Sequence, residues 1–96
     1  MDDLKVFQLN ENSEDFKEIK DFSTVSDIIN SNIILILVDH LTKHIWIWNG
    51  KATTPRMKFI AARKAPNIRD KYGIDYKIAS VDQGSETEVF RNTVGL

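Results

Sequence analysis

The sequence contains no cysteine, only two prolines and only four glycines. Without cysteine the fold can contain neither a disulfide framework nor a thiolate metal site, and this composition suits a reducing compartment. The longest apolar run is far too short to span a bilayer, and the start Met1-Asp2-Asp3 lacks the basic and apolar regions of a secretion signal. We therefore expect a soluble intracellular protein that does not insert into a membrane.

The chain is 96 residues long, which leaves room for one domain covering residues 1–96. Its formal net charge is −1, but the charges are unevenly distributed. Residues 1–30 contain eight acidic side chains and three basic ones, whereas residues 56–71 contain six basic side chains and one aspartate. No glycine-rich clamp or aromatic stacking strand accompanies the basic segment, so we interpret it as a solvated helix face and predict no nucleic acid partner.

Two apolar segments in the middle of the chain predict the centre of the fold. Residues 33–38 are all apolar, which is typical of a strand with both faces buried, and residues 45–48 repeat the pattern after a short polar connection. The two segments predict a hairpin within one sheet, with Trp46 and Trp48 on the same face beneath a helix. A sheet buried on both faces needs helices on both sides, so the sequence predicts an α/β fold.

The segments before this centre predict two strands and a helix. Residues 4–9 alternate apolar and polar side chains, as in a strand with one wet face, and residues 15–21 are interpreted as a short irregular edge strand. Ser23 or Thr24 is expected to cap a short helix that ends near Asn30. The residues that this helix would bury are Val25, Ile28 and Ile29.

A long helix is predicted after Gly50. A threonine followed by Pro55 is a typical helix start, because threonine can cap the free amides and proline has no N–H to lose. Pro66 leaves two alternatives: the helix stops at Ala65, or it continues with a kink to Gly73.

The end of the chain predicts one more strand and one more helix. Residues 74–81 alternate apolar and polar side chains like a strand. After a turn, residues 86–94 are expected to form a short final helix with Val89 and Phe90 facing inward.

The two sides of the predicted long helix differ. At about 100° per residue, one side carries side chains small enough to let the helix lie close on a sheet. This side would be the core face, and its residues are Ala61, Ala62, Ala65 and Ile68. The opposite side places apolar residues among arginines, which is typical of the centre of a protein interface: Arg56, Phe59, Ile60, Arg63 and Asn67, with Lys64 at the border. Two alternatives stay open, a helix rotated about its axis or a Phe59 packed under a loop. Lys58 argues against the assumed rotation, because it falls on the core side.

Other candidate chemistry is weak. His40 and His44 are four residues apart, but they lie in the hairpin connection and not on a helix, so they do not predict a metal site. Asp39 is more typical of a residue that caps a turn. The sequence has no nucleophile elbow, phosphate-binding glycine loop or metalloprotease helix. We therefore predict no enzyme activity, no metal and no cofactor.

The order of the motifs is more specific than any one of them. Along the chain they read LKVFQL, FKEI, IILILVD, HIWIWNGK, a basic helix, a short strand and QGSETEVF. The most specific parts are the strand ending in Asp39, the strand ending Trp48-Asn49-Gly50-Lys51, and the closing signature Gly84-x-Glu86-x-x-x-Phe90. In this order and spacing, the sequence resembles a gelsolin homology domain over nearly its whole length.

The resemblance implies a central mixed sheet of about five strands between one long and one short helix, the architecture shared with the cofilin group. It also implies a monomeric, cytoskeleton-associated cytoplasmic protein whose partner is actin. In the family the long helix enters the apolar cleft between two actin subdomains, which corresponds here to Arg56, Phe59, Ile60, Arg63, Lys64 and Asn67. Such a protein would sequester monomers or promote filament disassembly or severing. The alternative is a scaffold or interaction domain of this fold whose partner is not actin.

Gelsolin homology domains are usually controlled by calcium, so the resemblance also implies where ligands should be. A turn acid before the central strand and a glutamate early in the long helix correspond here to Asn32 and Met57. A thioether cannot replace a carboxylate around calcium, and a neutral amide weakens the site further. The site shared with actin corresponds to Arg69, or to Asp70 if shifted by one residue. We therefore expect both sites to be empty and the function to be independent of calcium.

Overall fold

A computed structural model describes residues 4–96. The elements are β1 (Leu4–Asn10), β2 (Asp15–Ile19), α1 (Val25–Ile28), β3 (Ile34–Asp39), β4 (His44–Asn49), α2 (Pro55–Tyr72), β5 (Lys77–Asp82) and α3 (Glu88–Val94). The strands form one sheet in the order β2-β1-β3-β4-β5, in which β4 and β5 are parallel and the other pairs antiparallel. The predicted mixed sheet of five strands is confirmed. Within residues 4–96 no helix is both long and apolar enough to cross a membrane.

The central strand β3 is buried along its whole length, as its uninterrupted apolar run predicts. Its side chains alternate between two clusters. Ile34, Ile36 and Val38 pack on the side that α2 covers. Leu35 and Leu37 pack on the opposite side, against residues of α1 and α3. The sheet is therefore a layer between one long helix and two short ones, where the resemblance implied a single short helix.

The cluster beneath the short helices is built around aromatic side chains. Trp46 and Trp48 are 6% and 1% exposed, so their predicted packing under a helix is confirmed. The ring of Phe90 meets Trp46 edge-on, with 5.3 Å between the ring centroids. Thr87 begins α3 as its cap, because its hydroxyl accepts a hydrogen bond from the Phe90 N–H.

The long helix α2 resolves the alternatives that Pro66 left open. The hydroxyl of Thr54 caps the start by accepting from the Met57 N–H at 3.2 Å, and the helix then continues through Pro66 to Tyr72. Proline removes the hydrogen bond to the carbonyl of Ala62, four residues earlier. Because Ala62 is exposed, water can solvate that carbonyl, and the helix does not have to end there.

Two local predictions near the end of the chain are wrong. The strand predicted to begin at residue 74 begins at Lys77, because a backbone hydrogen bond from Tyr76 to Gly73 forms a turn that leaves Ile74 85% exposed. Val89 points outward at 57% exposure, since the buried residues of α3 are Phe90 and its neighbour one turn later, Val94.

The short helix α1 is also shorter than predicted. It ends at Ile28, because Ile29 has an extended backbone, and it does not reach Asn30. Only Val25 is fully buried, whereas Ile28 and Ile29 are half-buried. Its predicted start is confirmed, with Thr24 as the cap.

Candidate protein-interaction surface

The rotation of α2 differs from the predicted one. Its buried residues are Ile60, Ala61, Ala65 and Ile68. The predicted exposure of Ile60 is wrong, because its side chain is 2% exposed, and Ala62 is exposed although it was assigned to the core. At about 100° per residue the core face is displaced by roughly 40° from the predicted one. Lys58, which the predicted rotation had placed in the core, is exposed.

The remaining predicted residues stay together on the solvent side. Arg56, Phe59, Arg63 and Asn67 are exposed, and we call these four residues the outer face of α2. Lys64 lies half-buried at the border of this face. Four of the six predicted contact residues are therefore accessible to a partner in one continuous strip, while Ile60 contributes to the core.

Phe59 is the large apolar side chain at the centre of the outer face. It is 67% exposed, so it does not pack under a loop. The guanidinium carbon of Arg63 lies 5.9 Å from the centroid of its ring, within the range of a cation–π contact. An exposed aromatic ring beside arginines has the composition that binding hot spots share.

Two carboxylates from the turn between β1 and β2 contact the outer face. Arg56 donates to Glu11 at 2.8 Å and to Glu14 at 3.0 Å, and Arg63 donates to the other oxygen of Glu14 at 3.0 Å. Sequence reasoning missed these two glutamates, because they precede the arginines by more than forty residues. The acidic charge of residues 1–30 and the basic charge of residues 56–71 were the available signal.

No protein-family model matches the sequence, and no curated protein matches it. Among the solved structures that resemble the fold, two are complexes with actin. The first is the crystal structure of the Thorarchaeota ProGel/rabbit actin complex, with a TM-score of 0.81 and 24% identity over 96% of this chain and 99% of that chain. The second is that of the Thorarchaeota 2DGel3/rabbit actin complex, with a TM-score of 0.71 and 20% identity over 94% of this chain and 44% of that chain. The chain has a gelsolin-like fold.

The residues that the resemblance assigns to calcium sites offer few oxygen ligands in the structure. Asn32 is exposed, and Met57 packs half-buried against the cluster under α2. The carbonyl of Ser31 accepts a hydrogen bond from the Ala52 N–H at 2.8 Å. At the other position, Arg69 forms an ion pair with Asp70 at 3.3 Å. Within residues 4–96, no three side chains of the usual ligand types are grouped closely enough to hold a metal ion.

The histidines of the gelsolin-like domain have separate partners. The Nδ1 atom of His40 lies 2.7 Å from the Tyr76 hydroxyl, and that of His44 lies 2.9 Å from the Thr42 hydroxyl. The Asp39 carboxylate accepts hydrogen bonds from the N–H groups of the two residues that follow His40. The predicted role of Asp39 in capping the turn is confirmed.

Proposed function

We propose that this gelsolin-like domain binds actin through the outer face of α2. The main support is the likeness to ProGel, which matches over nearly the full length of both chains and which forms a complex with rabbit actin. A chain of this size and fold is thus large enough to form such a complex without a second domain. The likeness to 2DGel3, also in complex with rabbit actin, points to the same partner.

The chemistry of the outer face supports this location. The inner side of α2 is buried in the core. The outer face carries an exposed aromatic ring and two arginines. Aromatic and arginine side chains dominate the energetics of protein interfaces. Such a surface acts by docking alone, so the function that we propose needs neither a catalytic group nor a cofactor.

We also propose that binding regulates filament dynamics in the cytoplasm and that it does not require calcium. A domain that occupies one surface of an actin monomer competes with the neighbouring subunits of a filament, which leads to sequestration, disassembly or severing. Calcium independence is supported by the amide of Asn32 and the thioether of Met57, which stand where carboxylates would be needed.

The test is a titration of fluorescently labelled rabbit actin monomers with the purified protein, combined with co-sedimentation with filaments. Saturable binding to monomers and less actin in the pellet are the expected results. If the folded protein binds neither monomers nor filaments, actin is not its partner. The alternative of a scaffold domain with another protein partner would then be favoured.

A further inference from the structure

A single carboxylate holds both arginines of the outer face. One oxygen of Glu14 accepts from Arg56 and the other accepts from Arg63, each at 3.0 Å. We propose that Glu14 is a positioning residue for partner binding, because it fixes these two arginines before actin arrives. This inference rests on the proposed function and adds the turn between β1 and β2 to the binding machinery.

The geometry of the bridge suits this role. The two arginines are seven residues apart, so their backbones are separated by about 10 Å along the helix axis, and Phe59 lies between them. A carboxylate that bridges this distance links both side chains on the face of the helix that carries Phe59, and Arg63 lies against the aromatic ring. Glu11 adds a second contact to Arg56 at 2.8 Å. Both arginines of the outer face are therefore paired with carboxylates of the same turn.

The turn between β1 and β2 places Glu14 beside α2. Its φ angle is +54°, a left-handed conformation that glycine, asparagine and aspartate adopt more readily than glutamate. Lys43, in the connection between β3 and β4, has nearly the same φ angle of +56°, so this conformation is a property of the turn. The turn between β1 and β2 is closed by a hydrogen bond from the Glu14 N–H to the Glu11 carbonyl at 3.3 Å.

The ion pairs hold the arginines without covering them. The side chains of Arg56 and Arg63 remain 55% and 51% exposed. Arg63 uses one terminal nitrogen for Glu14, and the rest of its five N–H groups are available for a partner. A partner therefore does not have to break the pairs. It meets side chains whose rotamers are already restricted, and the entropy cost of binding falls accordingly.

Folding and binding can be separated at this site. Ion pairs between exposed side chains contribute little to protein stability, so removing the charge of Glu14 should leave the fold intact. The change Glu14→Gln keeps the size of the side chain but places an amide nitrogen against one of the arginines. Glu88→Gln is the matched control, because Glu88 is an exposed glutamate on α3, on the opposite side of the sheet.

The experiment measures the affinity for rabbit actin monomers in five proteins: the natural sequence, Glu14→Gln, the control Glu88→Gln, Arg56→Met with Arg63→Met, and the combination of Glu14→Gln with both arginine changes. We expect Glu14→Gln to weaken binding about three- to tenfold, which corresponds to the ordering cost of one or two long side chains. In the background without the two arginines, the same change should have no further effect. Glu88→Gln should bind like the natural sequence, and all variants should have the same melting temperature within about 2 °C.

Each alternative result has a distinct meaning. Unchanged affinity in Glu14→Gln would overturn the positioning role while the natural sequence still binds actin. Tighter binding would overturn it as well, because Glu14 would then compete with actin for the arginines. An equal loss with and without the arginines would mean that Glu14 contacts actin directly, which also contradicts positioning. If the natural sequence does not bind, the proposed function fails and this inference fails with it.

Discussion

The indole N–H of Trp48 donates a hydrogen bond to the Glu86 carboxylate at 2.8 Å and thereby ties β4 to the loop before α3. The other oxygen of Glu86 accepts from the Gly84 N–H at 2.9 Å. Phe90, four residues later, is completely buried against Trp46. The closing signature Gly84-x-Glu86-x-x-x-Phe90 is therefore a structural device that attaches the last helix to the sheet, and none of its three residues belongs to the outer face of α2.

The Glu86 carboxyl should make stability depend on pH. Burial raises its pKa, but hydrogen bonds from Trp48 and nearby backbone N–H groups, together with Arg91, outweigh burial and bring the pKa below the ordinary 4.5. A carboxyl whose pKa is lowered by folding stabilises the protein above its unfolded pKa, and this contribution is lost as the pH falls through the folded pKa. Glu86→Gln should therefore lower the free energy of unfolding by about 1 kcal/mol at pH 7 and by progressively less below about pH 4.5.

Urea denaturation of both proteins between pH 3 and pH 7 would measure this difference. Glu18→Gln is the control, because Glu18 is exposed on β2, and it should lower the free energy of unfolding at pH 7 by less than Glu86→Gln does. If Glu86→Gln lowered the free energy of unfolding by the same amount at every pH, the charge of the Glu86 carboxylate would not be the source of this stability.

Gly50 should tolerate no side chain. A Cβ atom at this position would lie 2.3 Å from the carbonyl oxygen of Ser31 and 2.8 Å from that of Ile33, and both are backbone atoms that cannot rotate away. We expect Gly50→Ala to lower the free energy of unfolding by about 3 kcal/mol. The neighbouring change Lys51→Ala, at an exposed side chain, is the control in the same urea titration. Equal midpoints for the two variants would contradict the close approach of the two segments.

The rotation of α2 can be tested with two adjacent residues. Ile60 is 2% exposed and Phe59 is 67% exposed. Ile60→Asp should unfold the domain or destabilise it by about 3–5 kcal/mol, because it removes core packing and buries a charge. Phe59→Asp should melt near the temperature of the natural sequence. The measurement is the melting temperature of both variants by circular dichroism. A lower melting temperature for Phe59→Asp than for Ile60→Asp would contradict the observed rotation and support the one predicted from periodicity.

Much of the fold could be predicted because its signals are local. The uninterrupted apolar run of β3 and the helix start at Thr54-Pro55 depend only on neighbouring residues. Periodicity alone misplaced the core face of α2, because three alanines gave a weak signal and Ile60 was assigned to solvent. The sequence also contained the information for the correct rotation, since Lys58 does not fit the predicted core.

Long-range contacts could not be predicted in the same way. The pairing of Glu14 with Arg56 and Arg63 depends on how the hairpin of β1 and β2 lies beside α2, which is a property of the assembled sheet. The exposed position of Ile74 was missed because Ile74 and Tyr76 continue the apolar alternation of β5 toward the N-terminus. In the structure these two residues belong to the turn that precedes the strand.

Calcium should affect neither stability nor binding. A ligand that binds the folded state raises the melting temperature, so a functional calcium site would be visible in a thermal melt. We expect equal melting temperatures in millimolar calcium and in chelator, and equal affinity for rabbit actin monomers in both. The parallel measurement with magnesium controls for ionic strength. A calcium-specific rise in melting temperature would show that ligands other than Asn32 and Met57 form a site.

The most direct measurement compares the affinity for rabbit actin monomers of Phe59→Ala and Val89→Ala. Both changes shorten an exposed apolar side chain, but Phe59 lies at the centre of the outer face and Val89 lies on α3, on the opposite side of the sheet. Truncating a central aromatic residue of an interface typically costs about 2 kcal/mol or more, which is roughly a thirtyfold loss of affinity. We predict this loss for Phe59→Ala, with unchanged affinity for Val89→Ala and unchanged stability for both. Actin binding that is insensitive to Phe59→Ala, or that is lost in Val89→Ala instead, would contradict docking through the outer face of α2.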